Sequence, residues 1–368
     1  MTGLNGQRVY LDWNATAPLR PEARQAMLEA MDVVGNPSSV HAEGRAAKAI
    51  VEKARSQVAS LVGCDADEVV FTSGATEAAT AWFTVVGVIE CAAIEHDAIY
   101  AQLETCFEDD RHILAVTSNG VLAEEAVGNE NAVTTLQTAN SETGVVQSAF
   151  ERISVQFSDM VQSIGKLPIR FNELNVGVAS ASAHKIGGPK GVGALVVAAR
   201  ENVYLHPSVG GGQEKGRRSG TENVIGIAGF GAAAEAAQRD LEAGVWDRVE
   251  GLRDLLEDTL ASAAPDTIFF GKESPRLPNT SCFAVPGWAG ETQVMQMDLA
   301  GFAVSAGSAC SSGKVNKASR VLLAMGFDEI TASSAIRVSM GPTTTEAEVL
   351  AFADAWKNAY RRRKARAA

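Results

Sequence analysis

A lysine on a loop of small residues has the clearest capacity for covalent chemistry in this chain. Lys185 ends the stretch Ser182-Ala183-His184-Lys185, which lies between two apolar runs, 175–179 and 192–197. Both runs predict buried strands of a parallel sheet. A lysine at the end of a buried strand is costly unless it is paired or used covalently, and a lysine that forms a Schiff base with an aldehyde has this environment. Taken alone, Lys185 also fits a surface lysine on a turn.

A second stretch predicts an anion site. The buried strand 69–71 runs directly into Thr72-Ser73-Gly74-Ala75-Thr76-Glu77, where a helix begins. A strand, a small-residue turn and a helix start leave backbone N–H groups pointing outward, and such groups bind anions. A phosphate is one such anion, and hydroxyl and N–H groups suited to it come from Thr76, Ser182, His184 and Thr221.

Other titratable residues follow predicted strands. Asp159 comes after the run 153–157, with Gln162 three residues further on, and His96 follows the run 91–95. Asp159 is either a helix cap or the anion that keeps a pyridinium nitrogen protonated beside a Schiff-base lysine. His96 is either a structural histidine or one that stacks on a ring and transfers protons. Arg337 lies in a predicted strand and suits bidentate binding of a substrate carboxylate.

The elements that must position these residues alternate along most of the chain. Predicted strands lie at 9–12, 69–71, 85–91, 113–117, 133–138, 153–157, 175–179, 192–197, 267–270, 281–285, 302–304 and 335–339, and predicted helices at 21–31, 39–61, 223–241, 246–263 and 345–363. This order predicts an α/β fold, with a large domain built on a mostly parallel, helix-covered sheet and a smaller α+β domain. We expect the large domain at 15–240 and the smaller one at 1–14 and 241–368.

Composition and charge argue against several classes of protein. The 368 residues carry a net charge of −12, which argues against a nucleic acid or an anionic membrane as partner. No apolar run is long enough to span a membrane, and the first residues do not form a signal peptide. The five cysteines have no CxxC spacing, so neither a disulfide framework nor a zinc site is indicated. We expect a cytoplasmic protein with reduced thiols and no metal.

A series of motifs identifies the family. Over nearly its whole length the chain resembles the cysteine desulfurases of the class V aminotransferase superfamily. The matching stretches, in chain order, are Tyr10-Leu11-Asp12 with Asn14-Ala15-Thr16, Gly35-Asn36-Pro37-Ser38-Ser39 with His41 and Gly44-Arg45, Phe71 to Glu77, Glu95-His96, Glu142-Thr143-Gly144, Ser182 to Lys185, Gly210 to Glu214, Arg218 to Asn223, and Gly307-Ser308-Ala309-Cys310-Ser311-Ser312.

The resemblance implies a cofactor and a set of residues that hold it. It implies pyridoxal 5'-phosphate bound covalently to Lys185, with His96 stacked on the ring, Asp159 at the pyridine nitrogen and Gln162 at the phenolic oxygen. The phosphate would lie on Ala75, Thr76, Ser182 and His184, and Thr221 would reach it from the other subunit of a homodimer. Asn140 and Arg337 would bind the carboxylate of the substrate, L-cysteine.

The resemblance also implies that Cys310 is the nucleophile that takes sulfur as a persulfide. Its loop matches the longer loop of the housekeeping and nitrogen-fixation enzymes, which can carry sulfur to an acceptor protein such as an iron–sulfur scaffold. Small residues around Cys310 favour an accessible sulfur, and Lys314 and Lys317 favour the thiolate. Apolar surroundings indicate structural roles for the remaining cysteines: Cys64, Cys91, Cys106 and Cys282.

The chain departs from the family pattern at a few places. Phe157 stands where the family usually has His, Met160 where it has Ala, and Asn140 is followed by Ser141 instead of a second Asn. After Ala79 and between Gln147 and Asp159 the chain is shorter by on the order of ten residues each, too short for the usual helix of a strand–helix–strand crossover. These features suggest a divergent member.

Three functions remain open on sequence grounds. A cysteine desulfurase that supplies sulfur for iron–sulfur clusters is the leading hypothesis. A selenocysteine lyase or a transaminase on the same fold is the second, although a transaminase needs no thiol at Cys310. The third is a weakly active paralogue that serves as an assembly scaffold.

Overall fold

A computed structural model describes residues 3–4, 6–83, 87–105, 107–126, 128, 131–199, 201, 210–307 and 318–367. The α-helices are α1 (Pro21–Met31), α2 (Ala42–Val62), α3 (Ala75–Phe83), α4 (Asp97–Tyr100), α5 (Val224–Glu242), α6 (Val245–Ala263), α7 (Gly290–Leu299), α8 (Arg320–Ala324), α9 (Glu329–Ser333) and α10 (Glu346–Ala367). The strands are β1 (Val9–Tyr10), β2 (Val69–Thr72), β3 (Ile89–Ala92), β4 (Arg111–Leu114), β5 (Val133–Thr135), β6 (Val155–Asp159), β7 (Val176–Ser182), β8 (Gly193–Val197), β9 (Ile268–Phe269), β10 (Thr280–Ala284), β11 (Phe302–Ala303), β12 (Ser305–Ala306) and β13 (Ala335–Ser339).

A seven-stranded sheet forms the centre of the fold, in the order β2-β8-β7-β6-β5-β3-β4. The five strands from β7 to β4 in this order are mutually parallel. Strand β2 also runs in their direction, because it is antiparallel to β8 and β8 is antiparallel to β7. The carboxyl ends of β2, β3, β6 and β7 therefore meet at one edge, where ligands of open α/β sheets bind. The predicted α/β fold with a mostly parallel sheet is confirmed.

One strand runs opposite to the prediction. The run 192–197 was expected to be parallel to the strand before Lys185, but β8 is antiparallel to β7, with Ser182 opposite Gly193. The reason is the length of the connection. A parallel neighbour needs a crossover of a dozen or more residues, whereas the short loop that contains Lys185 can only turn the chain back beside β7.

Helices cover both faces of this sheet. On one face α2 and α5 pack together, and their core includes Val69 and Phe71 of β2. On the other face α3 packs, and its core includes the intervening Val70, as expected when side chains alternate along a strand. Phe157, at the position where the family usually has His, is fully buried in this second core, with its ring 5.1 Å from that of Phe83. The aromatic residue at 157 is therefore part of the packing beneath the site.

The two connections that the sequence predicts to be short differ in the structure. The connection from β5 to β6 holds a 3₁₀ turn, Ala149–Glu151, and no α-helix, and all of its residues are described. The connection from β2 to β3 keeps the nine-residue α3. The shortened connection around Ala79 has thus retained a helix, contrary to the expectation that it could hold none.

The C-terminal part builds a smaller sheet, in the order β12-β13-β10-β9, with antiparallel pairing throughout. Its apolar core includes Phe283 and Trp356, whose rings meet edge to face, and also Val9 and Leu11 from the start of the chain. Strand β1 joins this part by pairing with β11. The domain boundaries given above remain a prediction. No helix within the described ranges is both long and apolar enough to cross a membrane.

Candidate active site

A cavity of about 640 Å³ opens at the carboxyl edge of the large sheet. Its walls come from the ends of β2, β3, β6 and β7 and from β13 of the smaller sheet. The cavity brings together nine of the residues predicted from the sequence: Ala75, Thr76, His96, Asp159, Gln162, Ser182, His184, Lys185 and Arg337.

Lys185 ends a 3₁₀ turn that directly follows β7. Its side chain is half-buried, and Nζ donates to the carbonyl oxygens of Asn14, at 2.6 Å, and Ala15, at 3.0 Å. These carbonyls belong to the Asn14-Ala15-Thr16 motif, which reaches the site from the N-terminal part of the chain. The lysine is thus held inside the cavity by neutral acceptors, which fits the covalent role better than the surface-turn alternative.

Asp159 is the last residue of β6 and is buried at the cavity wall. Its Oδ1 accepts a hydrogen bond from the backbone N–H of Val161 at 2.9 Å. Burial raises the pKa of this carboxyl group, while His96 and Lys185 act in the opposite direction. A further cation beside Asp159 would therefore stabilise its charged form.

His96 caps the short helix α4 at the end of β3. Its Nδ1 accepts from the backbone N–H of Ala98 at 3.1 Å. Because Nδ1 acts as acceptor, the neutral ring carries its hydrogen on Nε2. The cap fixes both the tautomer and the orientation of the ring.

The predicted anion site forms where β2 ends and α3 begins. The first hydrogen bond of α3 joins the Ala78 N–H to the Gly74 carbonyl, so the N–H groups of 75–77 precede the helical ladder. His184 Nδ1 lies 3.2 Å from Thr16 Oγ1. Burial, and then the charges of Lys185 and Lys190, lower the pKa of His184 to about 4. Its ring is neutral at physiological pH and can contact an anion as a neutral hydrogen-bond donor.

Arg337 reaches the cavity from β13 and is only 4% exposed. Its Nη2 contacts Asp12 Oδ1 at 2.7 Å, and Nη1 donates to the Ser141 carbonyl at 2.9 Å. Nε is buried and has no hydrogen-bond partner among the described residues. Arg337 lines the cavity, so its guanidinium group brings a positive charge to the cavity wall.

Two predicted residues do not line the cavity. Asn140 is buried beside it, where Oδ1 accepts from the N–H groups of Glu142 and Thr143, so that its side chain shapes the loop that carries Ser141 into the cavity. Thr221 is exposed on the loop before α5. Its predicted contact with a phosphate is not made within one chain.

The Thr221 loop is nevertheless tied to the strand that leads into the anion site. Glu214 forms a bidentate ion pair with Arg55, at 2.7 and 2.9 Å, and accepts from the Phe71 N–H of β2. Arg218 contacts Glu77 in the first turn of α3 at 3.0 Å. These bonds fix the loop outside the cavity and leave Thr221 facing outward.

Cys310 lies outside the described residues. Gly307 and Ala318, the described residues on either side of its loop, line a second cavity of about 640 Å³. His96 and Ser141 line both cavities. The loop thus leaves and re-enters the fold next to the site. Of the other cysteines, Cys91 and Cys282 are fully buried, and burial raises the pKa of the half-buried Cys64 to about 12.

Comparison with known proteins places this site in a family. The profile of the family Aminotransferase class-V matches residues 9–352. The chain belongs to this family.

Family members of known function are closely similar along the whole chain. A cysteine desulfurase of Cereibacter sphaeroides is 40% identical, over 93% of this chain and 93% of its own, and one of Enterobacter agglomerans is 38% identical, over 93% and 90%. The X-ray structure of a NifS-like protein from Rickettsia africae has a TM-score of 0.85 at 30% identity and covers 96% of this chain and 100% of its own. The resemblance to cysteine desulfurases inferred from the motifs is confirmed.

The class-V site also contains residues that the sequence analysis did not assign. Asn14 links several walls of the cavity, because its carbonyl accepts from Lys185 and Gln162 and its side chain contacts Ser141 and Thr280. Lys166 and Glu95 are buried behind the cavity lining. The Asn14-Ala15-Thr16 match could have pointed to Asn14, but no local pattern distinguishes Lys166 from a surface lysine.

Proposed function

We propose that the protein is a cysteine desulfurase that uses pyridoxal 5'-phosphate to convert L-cysteine to L-alanine and transfers the sulfur to Cys310. The observation that carries the proposal is the convergence of Lys185, Asp159, His96 and Arg337 on one cavity of about 640 Å³ in a chain with desulfurase relatives. Lys185, Asp159 and His96 arrive from the carboxyl ends of three strands of the large sheet, and Arg337 arrives from the middle of β13. Their meeting is therefore a property of the fold and not of one motif.

The cavity residues fit pyridoxal phosphate. Asp159 is a buried carboxyl group that a cation would keep charged, and a protonated pyridine nitrogen is such a cation. The N–H groups at the start of α3, together with Thr76 and Ser182, offer donors to a phosphate. Lys185 would hold the aldehyde carbon, His96 would stack on the ring and Gln162 would donate to the phenolic oxygen. When bound, the cofactor withdraws electrons from the substrate α-carbon.

The residues that would act on the substrate are Arg337, Asn140 and Lys185. Arg337 brings a positive charge to the cavity wall, which suits the carboxylate of cysteine, with Asn140 shaping the adjoining loop. Lys185, once displaced by the substrate amine, is placed to take and return the proton of the α-carbon.

Sulfur transfer is assigned to Cys310. Its thiolate attacks the sulfur of the substrate, a new S–S bond forms, and the electron pair of the substrate C–S bond stays with the carbon fragment. That fragment takes up protons and leaves as alanine. The flanks of the cysteine loop line the cavity next to the site, which supports this role. Lys314 and Lys317 favour the thiolate and attract an acidic acceptor.

The proposal includes partners and a location. We infer a cytoplasmic homodimer in which Thr221 of each chain reaches the phosphate site of the other. The outward position of Thr221 on a fixed loop supports this arrangement. The sulfur acceptor would be a protein such as an iron–sulfur scaffold.

The test uses purified protein supplied with pyridoxal phosphate. We expect a visible absorbance band and, when L-cysteine and a thiol reductant such as dithiothreitol are added, release of alanine and sulfide in equal amounts, because the reductant frees the persulfide sulfur as sulfide. Borohydride reduction followed by peptide mapping should label Lys185, and Lys185→Ala should lose both label and activity. The matched control is Lys190→Ala, since Lys190 lines the same cavity and should remain unlabelled. A label on Lys190, or alanine without sulfide, would contradict the proposal.

A further inference from the structure

Lys166 is buried, and among the described residues no carboxylate pairs with it. It lies on the turn after β6 and is 3% exposed. Its Nζ donates to Gln162 Oε1 at 2.8 Å and to Asn14 Oδ1 at 3.2 Å. A buried lysine that two neutral amide oxygens hold needs a physical explanation, because a buried charge is ordinarily paired.

The charges around Lys166 explain its state. The charged groups that act on it are two cations, Lys185 and Arg337. Burial, and then these two cations, lower the pKa of Lys166 well below its usual value. The amide oxygens of Gln162 and Asn14 accept two N–H bonds of Lys166. The lowered pKa and the neutral acceptors both favour the uncharged amine.

This donor fixes the orientation of the Gln162 amide. Oε1 accepts the Nζ–H bond of Lys166, and this hydrogen bond would be lost if the amide were reversed. Nε2 then faces the other way and donates to the Asn14 carbonyl at 3.1 Å. The same carbonyl accepts from Lys185 Nζ at 2.6 Å. Lys166 therefore holds two residues, Gln162 and Asn14, that both act on the interior of the cavity.

The geometry points to Lys166 as a positioning residue that turns the Gln162 N–H donors toward the cavity. This inference rests on the proposed function, in which Gln162 donates to the phenolic oxygen of the cofactor. Lys166 does not line the cavity and acts through Gln162. Lys166→Met keeps the length of the side chain and removes both donors, so Gln162 is no longer held in one orientation.

The first test follows the bound cofactor by pH titration of its visible absorbance band. Loss of an N–H donor to an anionic oxygen favours the protonated form, so Lys166→Met should raise the midpoint by roughly one pH unit, about a tenfold change in proton affinity. Gln162→Met should raise it similarly, and the double variant should shift no further than Gln162→Met alone. Asp159 and His96 face the same ligand and are unchanged in all variants. An unchanged midpoint, or additive shifts, would overturn the inference.

The second test uses the cofactor-free protein, so that it does not depend on the proposed function. In protein labelled with ¹⁵N-glutamine, the Gln162 side-chain amide is identified by its loss in Gln162→Met. It should exchange slowly with water in the wild type and several-fold faster in Lys166→Met. Equal exchange rates would overturn the inference even if the enzyme is active. Faster exchange in a protein that binds no cofactor would instead support the Lys166 contact and contradict the proposed function. Lys166→Gln, which keeps a donor on a shorter side chain, is a second variant with the same changes expected at smaller size.

Discussion

The Nη2 atom of Arg337 lies 2.7 Å from Oδ1 of Asp12, so the arginine assigned to the substrate carboxylate is already paired with a carboxylate of the chain. The side chains are 5% and 18% exposed. Asp12 belongs to the Tyr10-Leu11-Asp12 motif and thereby joins the start of the chain to β13. The pair holds the guanidinium group in one orientation inside a buried wall.

Removing the charge of Asp12 should destabilise the protein. Asp12→Asn leaves the buried Arg337 without a counterion, and we expect a loss of about 2 kcal/mol in the free energy of unfolding, below the fully buried case because Asp12 is partly exposed. Urea denaturation of the cofactor-free protein measures it. The control is Asp298→Asn, which breaks the exposed Arg8–Asp298 pair and should cost less than about 1 kcal/mol. Equal losses in the two variants would contradict the structural role of Asp12.

Lys166 predicts a pH dependence of stability. Its pKa is lowered in the folded protein, so the unfolded chain binds more protons up to the ordinary lysine pKa of about 10.4. The free energy of unfolding of the wild type should therefore rise, relative to Lys166→Met, as the pH approaches about 10, by at most about 1.4 kcal/mol per pH unit. Denaturation at several pH values tests this, with the exposed Lys53→Met as control. A constant difference between wild type and Lys166→Met would show that Lys166 is charged in the fold.

Glu95 predicts the opposite trend. It is fully buried, and burial, followed by the charge of Asp159, raises its pKa to about 8. Between the ordinary glutamate pKa of about 4.3 and the folded value, only the unfolded chain is ionised, so this group lowers stability as pH rises. Glu95→Gln removes the titration. Its melting temperature relative to wild type should be higher at about pH 8 than at about pH 5. A difference that does not change with pH would contradict a protonated Glu95.

Thr221 predicts active sites shared between subunits. A Thr221→Val chain mixed with a Lys185→Ala chain should give hybrid dimers with one intact site and regain activity. In the control, a chain with both changes is mixed with wild-type chain, and the hybrid then has no intact site. If Thr221 acts within its own chain, the first mixture should regain no activity, and the hybrids of the control mixture should have one intact site. Cofactor-loaded protein that sediments strictly as a monomer would also contradict the prediction.

Most of the site lining was predictable because its signals are local. Lys185, Asp159 and His96 each lie at the carboxyl end of a strand or within four residues of it, and the carboxyl ends of parallel strands share an edge. The direction of β8 was not predicted, since it depends on a short loop that excludes a crossover. Lys166 was missed for a different reason. Its burial depends on Asn14, which is far away in sequence and arrives only when the smaller sheet and the large sheet are assembled.

Packing also explains two departures from the family pattern. Phe157 suggested divergence in the sequence, and the structure shows it fully buried against Phe83. The connection that was expected to hold no helix contains the nine-residue α3. The apolar side chains of α3 pack against β2 and β8 and cover them.

The central claim is that Cys310 takes the sulfur of cysteine while Lys185 holds the cofactor, and one variant separates the two roles. Cys310→Ser should keep the visible cofactor band and the borohydride label on Lys185, and its band should still change when L-cysteine is added. With L-cysteine and a thiol reductant present, it should release no sulfide. Cys64→Ser is the control and should release sulfide at the wild-type rate, because burial keeps that thiol protonated. If Cys310→Ser releases sulfide and alanine as fast as the wild type, no protein thiol takes part and the account is wrong.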